Sequence, residues 1–237
     1  MACYNWRVPK RTKPIPDRQA SELRRAYKLM RAHFGHQRWW PGETPFEVCV
    51  GAILTQNTNW TNVERAITNL KSAGVLDARR MFALPEAELA QIIRPAGYFN
   101  VKARRLRSFL RVLVEEYGGD LKQLFAGDTP TVRARLLAIH GIGPETADSL
   151  LLYAGGHHSF VVDAYTKRIF SRHDWCSEEA DYDTVKSLCE SALDEKSNSD
   201  RLDYWQDYHA QLVMVGKEYC RPRNPRCADC PLQPLLP

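Results

Sequence analysis

Apolar residues recur every three or four positions along most of this chain, the spacing of helices with one buried face. Leu23, Tyr27, Met30 and Phe34 form one such stripe, and Gly35 is placed to end it. Thr44-Pro45-Phe46-Glu47 has the form of a capping box with proline at the first helical position. The segment it opens, Phe46 to about Thr55, is apolar nearly all round and is expected to be central. Asn59 can cap a helix that turns Val63, Ile67 and Leu70 inward, with Gly74 after its end. Asn100 can cap another, with Leu106, Leu110, Leu113 and Tyr117 inward and Gly118 as terminator. Further helices are expected from Thr129-Pro130, from Ala164 to Ser171 with Asp163 as cap, from Thr184 to Leu193 and from Tyr204 to Tyr219. Only Phe160-Val161-Val162 looks strand-like, and it is too short to build a sheet. The pattern predicts an all-α protein.

Composition narrows the setting. With 44% hydrophobic and 10% aromatic residues in 237, the chain can bury a substantial core. No run of about 18 apolar residues is present, so no membrane span is expected. The stretch Met1 to Arg7 lacks the apolar segment of a signal peptide, and the first 20 residues, rich in Pro, Lys and Arg, read as an irregular arm. A cytoplasmic protein is expected, in which disulfides are rare. The net charge of +5 permits nucleic-acid binding without requiring it. Lys102, Arg104, Arg105, Arg107 and Arg111 fall together with no acid among them, a run that reads first as a solvated helix face.

Three features carry chemistry. In Ile139-His140-Gly141-Ile142-Gly143-Pro144, two glycines allow a tight hairpin between helices, with backbone N–H groups placed to meet a phosphate. Asp163 ends the apolar run Val161-Val162, so its carboxylate can sit at the edge of a core; the plain alternative is a helix cap, and the two roles are compatible. Cys220, Cys227 and Cys230 follow the pattern Cys-x6-Cys-x2-Cys, with only Pro, Arg and Asn between the first two. Such thiols suit zinc or an iron–sulfur cluster better than core packing, yet either group usually takes four ligands.

These pieces, in order, resemble the endonuclease III-like helix-hairpin-helix DNA glycosylases. The resemblance runs over about residues 20–232 and rests on Ile53-Leu54-Thr55-Gln56-Asn57-Thr58, Gly97-Tyr98-Phe99-Asn100-Val101-Lys102-Ala103, the hairpin, Val161-Val162-Asp163 and the cysteine tail. Trp39-Trp40-Pro41 ahead of Gln56-Asn57-Thr58-Asn59-Trp60 is similar to the branch containing 3-methyladenine DNA glycosylases. The resemblance implies a six-helix domain over residues 37–157, and a second helical domain from 1–36 and 158–237 that bears a [4Fe-4S] cluster. It implies a monomer that acts on double-stranded DNA, between the two domains, in base excision repair. A damaged nucleotide would be extruded from the duplex. Gln56 would fill the gap and Tyr98 would wedge the opposite strand. Gly141, Ile142, Gly143 and Thr146 would hold a phosphate, with a monovalent cation at the hairpin carbonyls. Trp39, Trp40, Pro41 and Trp60 would edge the base pocket, where an aromatic face suits a cationic alkylated purine such as 3-methyladenine. Asp163 would stabilise positive charge on the sugar and orient or deprotonate water.

Two positions depart from the family pattern. Bifunctional members place a lysine two residues after the second hairpin glycine, where its amine forms a Schiff base; this chain has Glu145 there. A monofunctional glycosylase is therefore expected, with Lys167 as the nearest alternative amine in sequence. The family's fourth cysteine would fall at position 236, which is Leu236. Cys3 is the candidate to complete the cluster; the alternatives are another ligand, zinc, or no metal. The competing functions are an endonuclease III-type glycosylase with lyase activity on oxidised pyrimidines, a DNA-lesion-binding protein without catalysis, and a redox protein.

Overall fold

A computed structural model describes residues 16–39 and 42–237. Twelve α-helices are formed in it: α1 (Asp17–Phe34), α2 (Pro45–Leu54), α3 (Trp60–Ser72), α4 (Ala78–Ala83), α5 (Glu86–Ile92), α6 (Phe99–Arg111), α7 (Leu121–Leu124), α8 (Thr129–Leu137), α9 (Pro144–Ser149), α10 (Ala164–Arg172), α11 (Tyr182–Ala192) and α12 (Asn198–Glu218). Helices α6 and α9 each run on into a wider π turn, over Val112–Glu116 and Leu150–Gly155. No strand occurs among the described residues, and Phe160, Val161 and Val162 form an extended link buried in the core.

The expected caps are in place at several ends. Thr44 Oγ1 accepts from Glu47 N at 3.1 Å, Asn59 Oδ1 from Asn62 N at 3.0 Å, and Asp163 Oδ1 from Thr166 N at 2.7 Å. One expectation fails. Helix α6 begins at Phe99, and the residue at its cap is Tyr98 in the left-handed region at φ 44°. The turn Gly97-Tyr98 bends the chain there, so Asn100 already lies inside the first turn.

Two apolar cores result. One is built from α2 to α9, around Ile53, Leu54, Leu70, Leu89, Leu106, Phe109, Leu136 and Leu150. The other joins α1 to α10, α11 and α12, around Leu23, Met30, Phe160, Phe170, Cys189, Tyr208 and Leu212. The π turn after α9 passes between them, with Leu151 in the first core and Leu152 in the second. A buried polar network also crosses this boundary. Asp148, on α9, accepts two bonds from Arg133 at 2.9 and 3.1 Å and one from Ser159 Oγ at 2.6 Å, with the Lys186 amine of α11 at 4.0 Å.

The basic run on α6 is neither a solvated face nor an open basic stripe. Lys102 is buried and donates to the carbonyls of Leu54 and Ala96 at 2.8 and 2.7 Å; burial pushes its amine down to about 8, and Arg105 adds to this. Arg105 bonds Gln56, and Arg107 bonds the carbonyls of Leu84 and Phe82. Only Arg104 and Arg111 of the five are exposed. The run clamps α6 to the loops beside it.

Candidate active site

Where the two cores meet, α2, α3, α9, α10 and α12 enclose a cavity of about 320 Å³. Asp163 lies on its wall, with Glu145, Thr146, Ser149, Tyr165 and His209. The sequence places Asp163 there by a simple device: the buried link Val161-Val162 ends at the N-cap of α10, so the carboxylate is aimed by the helix it caps. Its two oxygens have different duties. Oδ1 accepts from Thr166 N at 2.7 Å and Thr166 Oγ1 at 2.9 Å. Oδ2 faces His209 Nε2 at 3.5 Å. Burial pushes the carboxyl up, but His209 and the Thr166 donors outweigh it and hold Asp163 below its ordinary value. The group is thus ionised and retains one oxygen for work in the cavity.

Glu145, expected from the hairpin pattern to replace a lysine, lies on the cavity wall. Burial, then the negative charge of Asp163, raises its carboxyl above the usual range. Lys167 is not at the cavity; its amine donates to Ala180 O at 3.3 Å. The amine that does line the cavity is Lys217, which also lies over the Trp39 ring at 5.4 Å. Trp39 and Trp60 edge the opening, and Trp60 Nε1 donates to Glu64 at 2.7 Å. Trp40, Pro41 and Cys3 lie outside the described residues.

The hairpin joins α8 to α9. Gly141 is required by the fold itself: φ is +90°, and a Cβ there would meet Arg105 Cγ at 2.3 Å. Gly143 is not, having an ordinary φ and open space around it. Its lack of a side chain leaves the backbone at the start of α9 open to an approaching group. Ile142 has another part than a phosphate donor: its side chain is in the core and its N–H bonds Ile139 O at 3.1 Å, so it anchors the hairpin. Thr146 is buried, and its Oγ1 accepts from Gln56 Nε2 at 2.9 Å.

Gln56 is fully engaged. Nε2 also donates to Gly141 O at 3.1 Å, and Oε1 accepts from Arg105 at 2.5 Å. These bonds tie the end of α2 to the hairpin, and they must be exchanged if the side chain is to leave. Tyr98 stands out at 72% exposure on its strained left-handed backbone, a large aromatic with no burial to explain it.

The three tail cysteines line one small cavity with Arg172, His173, Tyr219 and Leu236. Arg172 Nη1 donates to Cys220 Sγ at 3.3 Å, and Leu232 N to Cys230 Sγ at 3.4 Å. Leu236, at the position where the expected fourth cysteine would fall, lines this cavity while remaining 39% exposed. His173, on the same wall, has its Nδ1 engaged 3.0 Å from Leu235 O, which leaves Nε2 without that bond.

His209 and Lys217 were not singled out by sequence reasoning. The signal was present: His209, Val213 and Lys217 follow at helical i, i+4, i+8 spacing and share the face that α12 turns to the cavity.

Residues 50–195 match the HhH-GPD superfamily of base excision DNA repair proteins. The chain belongs to this family. It is an endonuclease III-like DNA glycosylase. A Methanocaldococcus jannaschii protein assigned as a DNA repair glycosylase is 47% identical over 87% of this chain and 92% of its own length. Endonuclease III of Thermotoga maritima is 29% identical, over 78% of this chain and 79% of its own. Among solved structures, H. pylori 3-methyladenine DNA glycosylase, bound to 1,N6-ethenoadenine, superposes with a TM-score of 0.73 at 26% identity, over 84% of this chain and 97% of that one. An endonuclease III–DNA complex shares the fold, with a TM-score of 0.75 at 22% identity, over 92% of this chain and 94% of that one.

Proposed function

We propose that this glycosylase excises an alkylated purine such as 3-methyladenine from duplex DNA, with water as the nucleophile, and stops at the abasic site. The observation that carries the reading is the pair of acidic side chains on the cavity wall, an ionised Asp163 and a glutamate in place of the lysine. The cavity falls within the range of small-molecule sites, so it can take an extruded base. Trp39 and Trp60 give it aromatic edges, and the chain shares its fold with the H. pylori enzyme named for 3-methyladenine. Asp163 Oδ2 would stabilise the positive charge that develops on the sugar as the base leaves, and orient the attacking water. The open backbone at Gly143 would take a phosphate, Tyr98 would wedge the strand, and Gln56 would fill the gap after releasing Arg105, Gly141 and Thr146.

Lys217 supports a second reading, a lyase, because it is an amine in the same cavity. One experiment separates the two. Duplexes carrying 3-methyladenine, 7-methylguanine, thymine glycol, a uracil mismatch and an abasic site are incubated with the protein, with and without borohydride. Release of an alkylated base with no trapped adduct is expected. Thymine glycol release with an adduct that Lys217→Ala removes would replace this reading by the second.

What supports a cluster is chemical: three thiols line one small cavity, two of them with N–H donors directed at sulfur, although their spacing among the described residues does not itself form a metal-holding group. Cys220, Cys227 and Cys230 would hold the [4Fe-4S] cluster and Cys3 would complete it, anchoring the tail against α10. Iron and sulfide are expected at about four each per chain, and Cys3→Ala should lower both. Unchanged content in Cys3→Ala, with loss in His173→Ala, would transfer the fourth site to the histidine.

A further inference from the structure

His209 is 5% exposed and sits on α12 directly behind Asp163. Its Nδ1 lies 2.6 Å from the hydroxyl of Tyr153, and that hydroxyl donates to Gln206 O at 3.2 Å. Its Nε2 has no hydrogen-bond partner among the described residues and faces Asp163 Oδ2 at 3.5 Å. The tyrosine comes from the π turn after α9, the histidine from α12 and the aspartate from the cap of α10. Three elements thus converge on one carboxylate oxygen.

We infer that His209, fixed by Tyr153, is a positioning residue for Asp163: it holds Oδ2 at the cavity while Thr166 holds Oδ1. This rests on the reading of Asp163 as the group that works on the sugar. The ring meets both contacts at once, Nδ1 at the Tyr153 hydroxyl and Nε2 at the carboxylate. The other ionisable groups around the ring are Glu145 on α9, Tyr165 on α10, and Asp207 and Lys217 on α12 itself. Asp207 is occupied by Tyr27, Arg31 and the Gln37 N–H. The Glu145 carboxyl is raised by burial and by Asp163, and the histidine opposes that shift. The contact at 3.5 Å is longer than a hydrogen bond and leaves Oδ2 able to turn to a sugar or a water while the ring stays beside it.

Two measurements test this on the full-length protein. The first is the carboxyl-carbon NMR titration of Asp163 in the wild type, His209→Leu and Tyr153→Phe. Without the histidine, burial is less opposed, so the midpoint is expected to rise by about one pH unit or more in His209→Leu, and by less in Tyr153→Phe. The second is single-turnover excision, read as release of 3-methyladenine from methylated duplex DNA. In His209→Leu the rate is expected to fall roughly 10- to 100-fold near neutral pH, with its acid limb displaced to higher pH and duplex affinity unchanged. His209→Gln, which keeps a donor, is expected to recover part of the rate but not the position of the acid limb. If His209→Leu does not fold, His209→Gln and Tyr153→Phe carry both readouts. An Asp163 midpoint and an acid limb that match the wild type in the folded variants would overturn the inference. Failure of the underlying reading has another signature: Asp163→Asn turns over like the wild type whatever happens at His209.

Discussion

Asp163→Asn is expected to lower single-turnover excision by about 1,000-fold while leaving affinity for the damaged duplex nearly intact. That fold-change corresponds to about 4 kcal/mol of transition-state stabilisation. The substitution separates the two duties of the side chain. Asparagine is the same size, and its oxygen can still accept from Thr166 N, so α10 keeps its cap. What is lost is the charge that faces His209 and the cavity. The pH dependence follows with a definite sign. Because Asp163 is held below the ordinary carboxylate value, it stays ionised as pH falls through about 4, and the acid limb of excision lies below that point. The depressed pKa also stabilises the fold above the unfolded value, and this contribution disappears as pH falls through the folded one. The Asp163→Asn variant should therefore show a flatter stability profile in acid. Retained turnover in the variant sinks the assignment of Asp163.

Asp148→Ala is expected to destabilise the fold by on the order of 3 kcal/mol, seen as a lower denaturant midpoint. Asp148 is fully buried, and its loss strands the guanidinium of Arg133 and the hydroxyl of Ser159. The cost stays near the low end for a broken buried pair because Asp183 still accepts from Arg133 at 3.0 Å. Removing both charges in Arg133→Met with Asp148→Leu should be milder than Asp148→Ala alone, because no unpaired ion remains. A double variant no more stable than the single one would show that the network is not what links α8, α9 and α11. The effect on excision should be secondary, since neither residue lines the cavity.

The helices were legible wherever an apolar stripe met a recognisable end. Leu23 to Phe34 with Gly35, the cap at Asn59 and the cap at Asp163 all produce the expected elements. The short helices α4 and α5 give too few turns for a stripe, though Asp77 caps α4 through Arg79 N and Arg80 N. At α6 the start was misplaced because a left-handed tyrosine is a costly conformation that propensity argues against. The charge run on α6 misled for a similar reason: composition does not reveal that Lys102 turns inward to two carbonyls. Within the candidate site, residues tied to local motifs were visible, Asp163 and the hairpin among them. His209 and Lys217 were not, because they lie more than 40 residues beyond Asp163 and only folding brings their helix face across. Gln56 was visible, but its three tethers were not.

The two cores also differ in when they can exist. The first is assembled from one continuous stretch, Phe46 to Ala154, and lacks no part once that stretch has left the ribosome. The second needs α1 at one extreme of the chain and α12 with Leu232 at the other. Helix α1 precedes that stretch and must wait for α12 and Leu232 before its stripe is covered. Synthesis from the N-terminus thus builds the hairpin half as a finished template, and the aspartate acquires its histidine only as the last helix docks.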